Sequence, residues 1–493
     1  MKCALRVVGI ALFMAIVASC GGGTASSDST ELEVVEVWDP PVLQWTECGT
    51  NLSCTTLTVP RDYAHPDLGV FELPVTRYRS ALQTERIGSL LVNPGGPGSG
   101  GTYLAEYADY YYSETLLDRF DIVGWDPRGT GGSIPSIDCV DDLDPYFSVD
   151  PSPDSSDETD SLMASVEGFA TECEARSGDV LPFVGTIDSA RDIDTLRRAL
   201  GEESISYLGF SYGSELGATW STMFPDTVRA AVLDASVDPT LGYADSLIEQ
   251  AAGFEAVLDR FFEHCDLESC VYMQNGETAA EGFDRIGEKV ENQPLPTYEG
   301  RVSASAGVFQ TAAAASLYAD FDWFLFVEAL AAADTGDGGM LLELYDGYMG
   351  EHVDGRTLGN EIEAYFGILC LERSPDLDSE AIFALDSVLA ERAPRVGRGW
   401  LQEMLVCANW PVAPNPRPAI DSNARDRMLV VGSTGDAATP LAGTKAMAAA
   451  LGDVPLVVVD SNQHTSYGSN ECATTIVDRF LIEAAPPTKN SNC

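Results

Sequence analysis

Gly209-Phe210-Ser211-Tyr212-Gly213 is the stretch that decides the fold of this 493-residue chain. It follows a short apolar run at residues 205–208 and precedes an apparent helix at residues 214–224. In a G-x-S-x-G sequence between a strand and a helix, the turn is so tight that side chains two residues either side of the serine would clash. The pattern therefore predicts a nucleophile elbow, in which the Ser211 hydroxyl stands at the end of a β-sheet and is the attacking group.

The general base that such a serine needs is sought among four histidines. His464 follows the apolar run at residues 455–459, so it is expected in a loop just past a late strand. His65 precedes a proline ahead of the core strands, His264 adjoins a cysteine, and His352 lies in a polar stretch. Chains with this elbow carry their catalytic residues in the order serine, acid, histidine. His464 is therefore predicted to be the base.

The catalytic acid is expected after a strand between these two residues. Asp436 follows the apolar run at residues 428–431, and Thr439-Pro440 starts a helix directly behind it. Such an acid holds the imidazole in one tautomer and stabilises its protonated form. Asp234, at the end of the run 230–233, is the alternative, because some hydrolases place the acid after that earlier strand. Asp234 could also simply cap a turn or helix, and the sequence favours Asp436.

A glycine-rich loop at residues 93–101 follows the buried-strand run 90–92. It lacks the lysine of a phosphate-binding P-loop and the G-x-G-x-x-G spacing of a dinucleotide site. It lies on the strand before the one that ends at Asp126, where hydrolases of this kind place the loop that donates a backbone N–H. We expect the N–H groups of Gly96 and Tyr212 to form the oxyanion hole.

Further segments complete a set of long and specific motifs. They are an N-terminal segment with Trp45, Cys48, Cys54 and residues 59–63, an NPGGPG loop at residues 93–98, a D-x-R-G-x-G-x-S turn at residues 126–133, a C-x-x-W-P segment at residues 407–411, and the terminal Cys493. Over roughly residues 45–493, the chain resembles the secreted tripeptidyl aminopeptidases of actinobacteria, in the prolyl-aminopeptidase-like branch of the α/β-hydrolases. Relatives usually carry glycine on both sides of the histidine, where this chain has Gln463 and Thr465.

The resemblance implies an α/β-hydrolase fold, with a mostly parallel sheet, flanking helices and an inserted, mainly helical lid. Strands at residues 55–59 and 71–78 are predicted to form the antiparallel start of the sheet. The parallel part is predicted to consist of strands that begin near Ile87, Phe120, Ile205, Val228, Met428 and Pro455.

The lid is predicted from a change of pattern. Between about residues 240 and 415 the sequence is helical and alanine-rich, and the sheet needs no strand from this part. The lid would therefore be inserted between the sixth and seventh predicted strands. The full predicted division is a signal peptide at residues 1–19, a tether at 20–40, the first part of the core at 41–240, the lid at 241–415 and the second part of the core at 416–493.

The N-terminus has the features of a bacterial lipoprotein signal. Lys2 and Arg6 precede an apolar stretch at residues 7–17, which is too short for a good transmembrane helix. Val17-Ala18-Ser19-Cys20, followed by three glycines, resembles a lipobox, in which Cys20 is acylated and becomes the mature N-terminus. An ordinary signal peptide is the alternative. The protein is thus expected outside the cytoplasm, lipid-anchored to the bacterial cell membrane or released from it.

Ten cysteines remain once Cys3 is removed with the signal and Cys20 is assigned to lipid. An even number outside the cytoplasm indicates disulfides, and no C-x-x-C pair or histidine spacing suggests zinc. The family resemblance, together with sequence neighbourhood, implies pairing in order: Cys48–Cys54, Cys139–Cys173, Cys265–Cys270, Cys370–Cys407 and Cys472–Cys493.

The charge of the chain limits its partners. It carries 77 acidic and 28 basic residues, for a net charge of −49. Such a chain is not expected to bind nucleic acid, nor to attach to anionic lipid by charge. Any membrane contact would come from the lipid anchor alone.

Together these features predict a serine hydrolase that works by acyl transfer and requires no metal or cofactor. The resemblance implies peptide substrates and an exopeptidase that removes a short N-terminal peptide. A carboxylesterase with the same triad is the first alternative. A non-catalytic surface-binding lipoprotein is the second.

An aminopeptidase must also bind the substrate ammonium, and a buried ammonium needs a carboxylate partner. Glu372 is the candidate, because residues 367–372 resemble a family segment that carries an acid two residues after its cysteine. A disulfide from Cys370 to Cys407 would hold Glu372 on a fixed backbone. The other interpretation is that Glu372 is one of many surface acids.

Overall fold

A ten-stranded sheet forms the centre of the computed structural model, which describes residues 38–83, 85–351, 358–373, 377–487 and 489–493. The strands are β1 (Thr46–Gly49), β2 (Leu52–Pro60), β3 (Val70–Tyr78), β4 (Gly88–Asn93), β5 (Phe120–Trp125), β6 (Ile205–Phe210), β7 (Val228–Asp234), β8 (Met428–Ser433), β9 (Leu456–Val459) and β10 (Ser491–Asn492). Their order across the sheet is β1-β2-β3-β5-β4-β6-β7-β8-β9-β10. The predicted signal peptide, Cys20 and nearly all of the predicted tether lie outside the described residues.

The sheet is antiparallel at one edge and parallel elsewhere. β1, β2, β3 and β5 pair antiparallel in that order, and the remaining pairs from β5 to β10 are parallel. Every residue of β4, β5 and β8 is buried, as expected for parallel strands with helices on both faces. The predicted α/β-hydrolase class is therefore confirmed, and β1 and β10 are added to the predicted strands.

Eighteen α-helices lie in the described residues. They are α1 (Thr102–Glu106), α2 (Ala108–Tyr111), α3 (Glu114–Leu117), α4 (Asp144–Phe147), α5 (Ser156–Ser177), α6 (Thr186–Ala199), α7 (Tyr212–Met223), α8 (Tyr243–Glu268), α9 (Ala279–Asn292), α10 (Ala306–Ser316), α11 (Trp323–Thr335), α12 (Gly339–Met349), α13 (Glu361–Glu372), α14 (Ser379–Ala384), α15 (Asp386–Arg392), α16 (Trp400–Ala408), α17 (Leu441–Ala450) and α18 (Glu471–Glu483). Capping boxes start two of them, Ser155 with Glu158 at α5 and Thr278 with Glu281 at α9. No helix among the described residues combines the length and apolar character needed to cross a membrane.

Helices α8 to α16 all lie between β7 and β8, where the lid is predicted. Their buried side chains belong to the same hydrophobic cluster as those of the sheet: Phe254 and Ala312 share it with Val123 and Leu233. Residues Trp38–Cys493 accordingly form one compact unit. The division into core and lid describes the order of the chain, and it stays a prediction as a division into separate bodies.

Five disulfides join the ten cysteines in the order that the resemblance implied: Cys48–Cys54, Cys139–Cys173, Cys265–Cys270, Cys370–Cys407 and Cys472–Cys493. Two of them connect separate elements near the site and at the sheet edge. Cys370–Cys407 joins α13 to α16, and Cys472–Cys493 holds the end of the chain, with β10, near α18. A disulfide of this kind contributes about 2–4 kcal/mol to stability.

Candidate active site

Ser211 occupies the turn between β6 and α7, with φ 53° and ψ −125°. A positive φ at a residue other than glycine is uncommon and strained, and such residues cluster at functional sites. The neighbouring glycines are required sterically. A Cβ on Gly209 would lie 2.3 Å from the carbonyl oxygen of Gly213, and a Cβ on Gly213 would lie 2.7 Å from that of Asn93. The turn therefore has the backbone of a nucleophile elbow.

His464 lies in the loop after β9 and is bound by Asp436. Its Nδ1 is 2.9 Å from Oδ1 and 3.0 Å from Oδ2 of that carboxylate. Thr439 fixes Asp436 by donating its backbone N–H to Oδ1 and its hydroxyl to Oδ2, each at 2.8 Å. Burial lowers the pKa of His464, but the charge and hydrogen bond of Asp436 outweigh it and raise the pKa above its ordinary value. With Nδ1 engaged, Nε2 is the nitrogen left to exchange protons with a substrate.

Asp234, the alternative acid, holds the backbone of the histidine loop instead. Its carboxylate accepts the N–H of Ser466, at 3.0 and 3.1 Å, and of Tyr467, at 2.7 Å. Its own carbonyl oxygen accepts the N–H of Ser211 at 2.9 Å. Burial raises the pKa of Asp234 to about 6. Of the two described acids, Asp436 is the one hydrogen-bonded to the imidazole, and Asp234 ties the elbow to the histidine loop.

The histidine loop is also in contact with the predicted lid. The His464 backbone N–H donates to the carbonyl of Tyr318 at 2.7 Å, and Gln463 forms an antiparallel bridge with Ala319. Thr465 has a φ of 72°, a left-handed conformation that a β-branched residue rarely adopts. The position where relatives usually carry glycine thus keeps a glycine-like backbone in this chain.

The glycine-rich loop after β4 lies directly against the elbow. A Cβ on Gly95 would stand 2.4 Å from the carbonyl oxygen of Phe210 and 3.0 Å from the nitrogen of Tyr212. The Gly95 N–H donates to the Asn93 side chain at 3.1 Å, whereas Gly96 lines the cavity in front of Ser211. Tyr212 is the first residue of α7, so its N–H has no acceptor within the helix. This arrangement favours Gly96 over Gly95 as the partner of Tyr212 in an oxyanion hole.

The D-x-R-G-x-G-x-S turn fastens the far end of that loop. The Asp126 carboxylate accepts the N–H groups of Gly101 at 2.9 Å, Thr102 at 3.1 Å and Gly132 at 2.9 Å. Arg128 is fully buried and makes two 2.7 Å bonds to the Asp192 carboxylate on α6. A buried bidentate pair of this kind fixes geometry more than it adds stability, so the motif positions the loop.

A cavity of about 670 Å³ opens in front of Ser211, His464 and Gly96. Most of its other walls come from the segment between β7 and β8, with aromatic side chains that include Phe254, Tyr318, Tyr348, Tyr365, Phe366 and Trp400. Four carboxylates also line it, those of Asp322, Glu343, Glu361 and Glu403. A concave site that combines aromatic side chains with several placed polar groups is typical of a ligand-binding pocket.

Glu372 is not brought to this cavity, which corrects the prediction that it meets the substrate amine. Its buried carboxylate accepts the backbone N–H of Thr186 at the start of α6, and Glu372 is not among the described residues that line the cavity. In a helix, residues two apart point about 200° apart. With Cys370 tied to α16, Glu372 therefore faces α6. Since the Thr186 hydroxyl also bonds that of Tyr212, Glu372 supports the elbow from behind.

Glu403 on α16 is the carboxylate that the sequence analysis missed. It lines the cavity, accepts the hydroxyl of Tyr243 at 3.1 Å and is hydrogen-bonded by Tyr365. Burial raises its pKa to about 7. The sequence does carry a signal for it, because Glu403 is the one acid in the largely apolar run 400–411. A lone carboxylate in such a run must face either solvent or a polar site.

One group of acids among the described residues could hold a metal ion. Asp142, Asp144 and Glu351 present oxygens within 4.8 Å of one another. The Arg301 guanidinium lies 3.3 Å from Asp144 and 3.2 Å from Glu351, so a cation of the chain already sits in this group. None of the three acids is among the described residues that line the cavity. We assign this group no part in the chemistry at Ser211.

Comparisons with known proteins agree with this geometry. A family model described as alpha/beta hydrolase fold matches residues 88–270, and one described as TAP-like protein matches residues 393–493. Serine protease Hip1 of Mycobacterium tuberculosis is 30% identical over an alignment of 480 residues, and the match covers 92% of this chain and 91% of the relative. Carboxylesterase B of the same species is 32% identical over 455 residues, 89% of this chain and 86% of the relative.

A third relative is the tripeptidyl aminopeptidase of Streptomyces coelicolor, which is 28% identical over an alignment of 477 residues, and the match covers 92% of this chain and 86% of the relative. The chain therefore belongs to the TAP-like peptidase family of the α/β-hydrolase fold and is a serine hydrolase.

Proposed function

We propose that this protein is a cell-surface serine exopeptidase that releases short peptides from the N-termini of polypeptides. The observation that carries the proposal is one cavity that holds the Ser211 elbow, the Asp436-bound His464 and the carboxylate of Glu403. Helices between β7 and β8 form most of its walls. A cavity with walls on several sides accepts the end of a chain, whereas the middle of a polypeptide would need a groove open at both ends.

The mechanism follows from the contacts of each group. Nε2 of His464 takes the proton of the Ser211 hydroxyl as Oγ attacks the carbonyl carbon, and Asp436 stabilises the imidazolium. The N–H groups of Gly96 and Tyr212 bind the oxyanion. When the C–N bond breaks, the leaving amine takes the proton from Nε2, and the acyl group stays on Ser211. Water then attacks the ester by the same steps and frees the enzyme.

Glu403 is our candidate for binding the substrate ammonium, in place of Glu372. Tyr243 and Tyr365 hold its carboxylate at the cavity wall. Because burial raises its pKa to about 7, an incoming ammonium would favour its ionised form, and the pair would form away from bulk water. A charge-assisted bond of this kind is strong enough to select substrates with a free amine.

Glu403→Gln tests this role. We expect kcat/KM for a free-amine peptide anilide to fall by about 30- to 1000-fold, or about 2–4 kcal/mol of transition-state binding. Glutamine keeps the oxygen that accepts the tyrosine hydroxyl but removes the charge. Hydrolysis of a small neutral ester should change little, since the ester carries no ammonium.

The matched control is Glu343→Gln, at an exposed carboxylate of the same cavity, where an ion pair is worth little.

The pH profile gives a second readout. Productive binding needs Glu403, whose pKa is about 7, to be ionised and His464, whose pKa is raised above its ordinary value, to be neutral. Activity should therefore fall as the pH drops through these two ionisations. The pH profile of Glu403→Gln should show only the ionisation of His464. Equal losses on ester and peptide, or none on either, would remove Glu403 from the amine site.

A carboxylesterase with the same triad is the second candidate function, and the relative named Carboxylesterase B favours it. Both functions use the same chemistry at Ser211, so they differ in substrate preference alone. Comparing kcat/KM for a free-amine peptide anilide, its amino-blocked counterpart and a simple ester separates them. The exopeptidase proposal requires the free-amine peptide to be preferred over the blocked one. Faster hydrolysis of the ester, with no preference between the two peptides, would favour the esterase.

The proposed location at the cell surface depends on Cys20, which lies outside the described residues. Cys20→Ala should move the protein from the membrane fraction to the soluble fraction, because acyl chains on Cys20 are the expected anchor. Cys3→Ala changes a cysteine of the same signal and should leave the fractionation unchanged. Immunoblots of separated membrane and soluble fractions give the result. A Cys20→Ala protein that still sediments with membranes would contradict lipid anchoring.

A further inference from the structure

A group of exposed tyrosines lies on α1, on α2 and at the residue between them, directly after the glycine-rich loop. We call Tyr103, Tyr107, Tyr110 and Tyr111 the tyrosine ledge. Tyr107 and Tyr110 are 62% and 84% exposed, and Tyr103 and Tyr111 are each 37% exposed. The rings of Tyr103 and Tyr111 lie 6.0 Å apart, and those of Tyr110 and Tyr111 lie 5.2 Å apart, both edge to face. So large a group of exposed rings indicates a binding surface.

The ledge adjoins the cavity through the glycine-rich loop, because Tyr103 follows Ser99 of that loop by four residues. Glu361 lines the cavity and accepts the hydroxyl of Ser99, a further lining residue. The aromatic surface therefore begins next to the cavity wall at Ser99 and reaches Tyr110, which is exposed to solvent.

The other side of the ledge meets the histidine loop. A Cβ on Gly468 would lie 3.4 Å from the carbonyl oxygen of Tyr111. The ring of Tyr112, the next residue, lies 5.9 Å from that of Tyr467. The ledge thus connects the loop that carries Gly96 with the loop that carries His464.

This position decides which part of a substrate can reach the ledge. In acyl transfer, the imidazole returns its proton to the leaving amine, so the chain beyond the scissile bond passes the histidine side of the site. The N-terminal part of the substrate fills the cavity, with its ammonium at Glu403. The segment beyond the scissile bond must leave the cavity past the histidine loop. The ledge adjoins that loop, so the departing segment can reach it.

We propose that the tyrosine ledge binds the polypeptide segment on the leaving-group side of the scissile bond, an inference that rests on the proposed exopeptidase function. Tyrosine suits this task because a rigid ring gives a large contact area and its hydroxyl can bond a peptide group of any sequence. The ledge would then favour polypeptide substrates over short ones without selecting particular residues.

The experiment compares two free-amine substrates with the same N-terminal tripeptide. One is the tripeptidyl anilide, which has no peptide segment to reach the ledge, and the other continues as a longer polypeptide. In the double variant Tyr107→Ala/Tyr110→Ala, KM for the long substrate should rise about tenfold with kcat unchanged, the pattern of lost uniform binding. Both constants for the anilide should stay within about twofold of wild type.

Two control variants accompany it. Tyr107→Phe/Tyr110→Phe keeps the rings and should retain most of the binding of the long substrate. Leu267→Ala/Val271→Ala removes apolar side chains that are 84% and 74% exposed outside the ledge, and should change neither substrate.

The outcomes separate the two proposals. If wild type cleaves both substrates and the alanine variant matches it on both, or loses equally on both, the ledge proposal is overturned and the exopeptidase proposal stands. If wild type hydrolyses an ester but neither free-amine substrate, the exopeptidase proposal fails and the ledge proposal fails with it.

Discussion

Ser211→Ala should lower kcat for every substrate by at least about 10⁴-fold, because the members of a catalytic triad act as a unit and leave little activity when one is removed. The variant should still fold. Alanine has the same Cβ as serine, so the strained φ of 53° at the elbow costs about the same for both residues. Steady-state hydrolysis of an anilide and an ester, together with labelling by a fluorophosphonate, measures the effect. The variant should bind no label.

Ser214→Ala is the matched control for this change. Ser214 lies one helical turn away on α7, is buried, and donates to the carbonyl of Ala235 at 3.2 Å. Its loss removes one hydrogen bond, which costs about 1 kcal/mol of stability, and should leave kcat and labelling nearly intact. Loss of a triad member should lower kcat by a factor of thousands. If Ser211→Ala kept more than about a tenth of wild-type kcat, the nucleophile would therefore have to be another residue.

The parts of the fold that follow local rules could be predicted from the sequence. A short stretch of sequence is enough to recognise the G-x-S-x-G turn and the apolar run of each parallel strand. The same holds for Ser211, Asp436 and His464, each of which lies next to such a strand. β1 and β10 have no such signal. β1 is exposed at all four residues, and β10 is two residues that pair with β9 at a chain end held by Cys472–Cys493.

The amine-binding carboxylate shows where sequence reasoning fails. Glu372 is the candidate that the sequence offers, because it follows a cysteine at a familiar spacing. A helix turns about 100° per residue, however, so that spacing places Glu372 on the face away from α16. Which face of α13 meets the cavity depends on the packing of α13 against α6 and α16. That packing is non-local, and no window of the sequence contains it. Glu403 was detectable only as a lone acid in an apolar run.

Asp234 illustrates a second limit. Its place at the end of a strand fits either a catalytic acid or a structural one, and the sequence alone favoured Asp436 without excluding Asp234. The distinction depends on which hydrogen-bond donor faces each carboxylate: a ring nitrogen at Asp436 and two backbone N–H groups at Asp234. The two acids therefore predict different consequences when each is neutralised.

Asp436→Asn should lower kcat by about 10³- to 10⁴-fold while leaving stability nearly unchanged. The asparagine amide would donate to Nδ1 of His464, so the ring proton would move to Nε2, and Nε2 could no longer accept the proton of Ser211. Thr439 can still donate to the remaining side-chain oxygen, which preserves the local fold. The loss of the carboxylate also removes the charge that raises the pKa of His464. Steady-state kinetics from pH 6 to 9 measure the effect on kcat, and thermal unfolding measures the effect on stability.

Asp234→Asn is the matched comparison, and it should show the reverse balance. The asparagine oxygen can take the place of Oδ2 and keep the N–H groups of Ser466 and Tyr467, but the amide nitrogen then takes the place of Oδ1, 3.1 Å from the Ser466 nitrogen. Two donors face each other there, which costs about 1–3 kcal/mol of stability. Its effect on kcat should be far smaller than that of Asp436→Asn, since His464 keeps its tautomer. If Asp234→Asn proved the more damaging to kcat at unchanged stability, the acid would belong to β7, and the bond between Asp436 and His464 would not be the catalytic one.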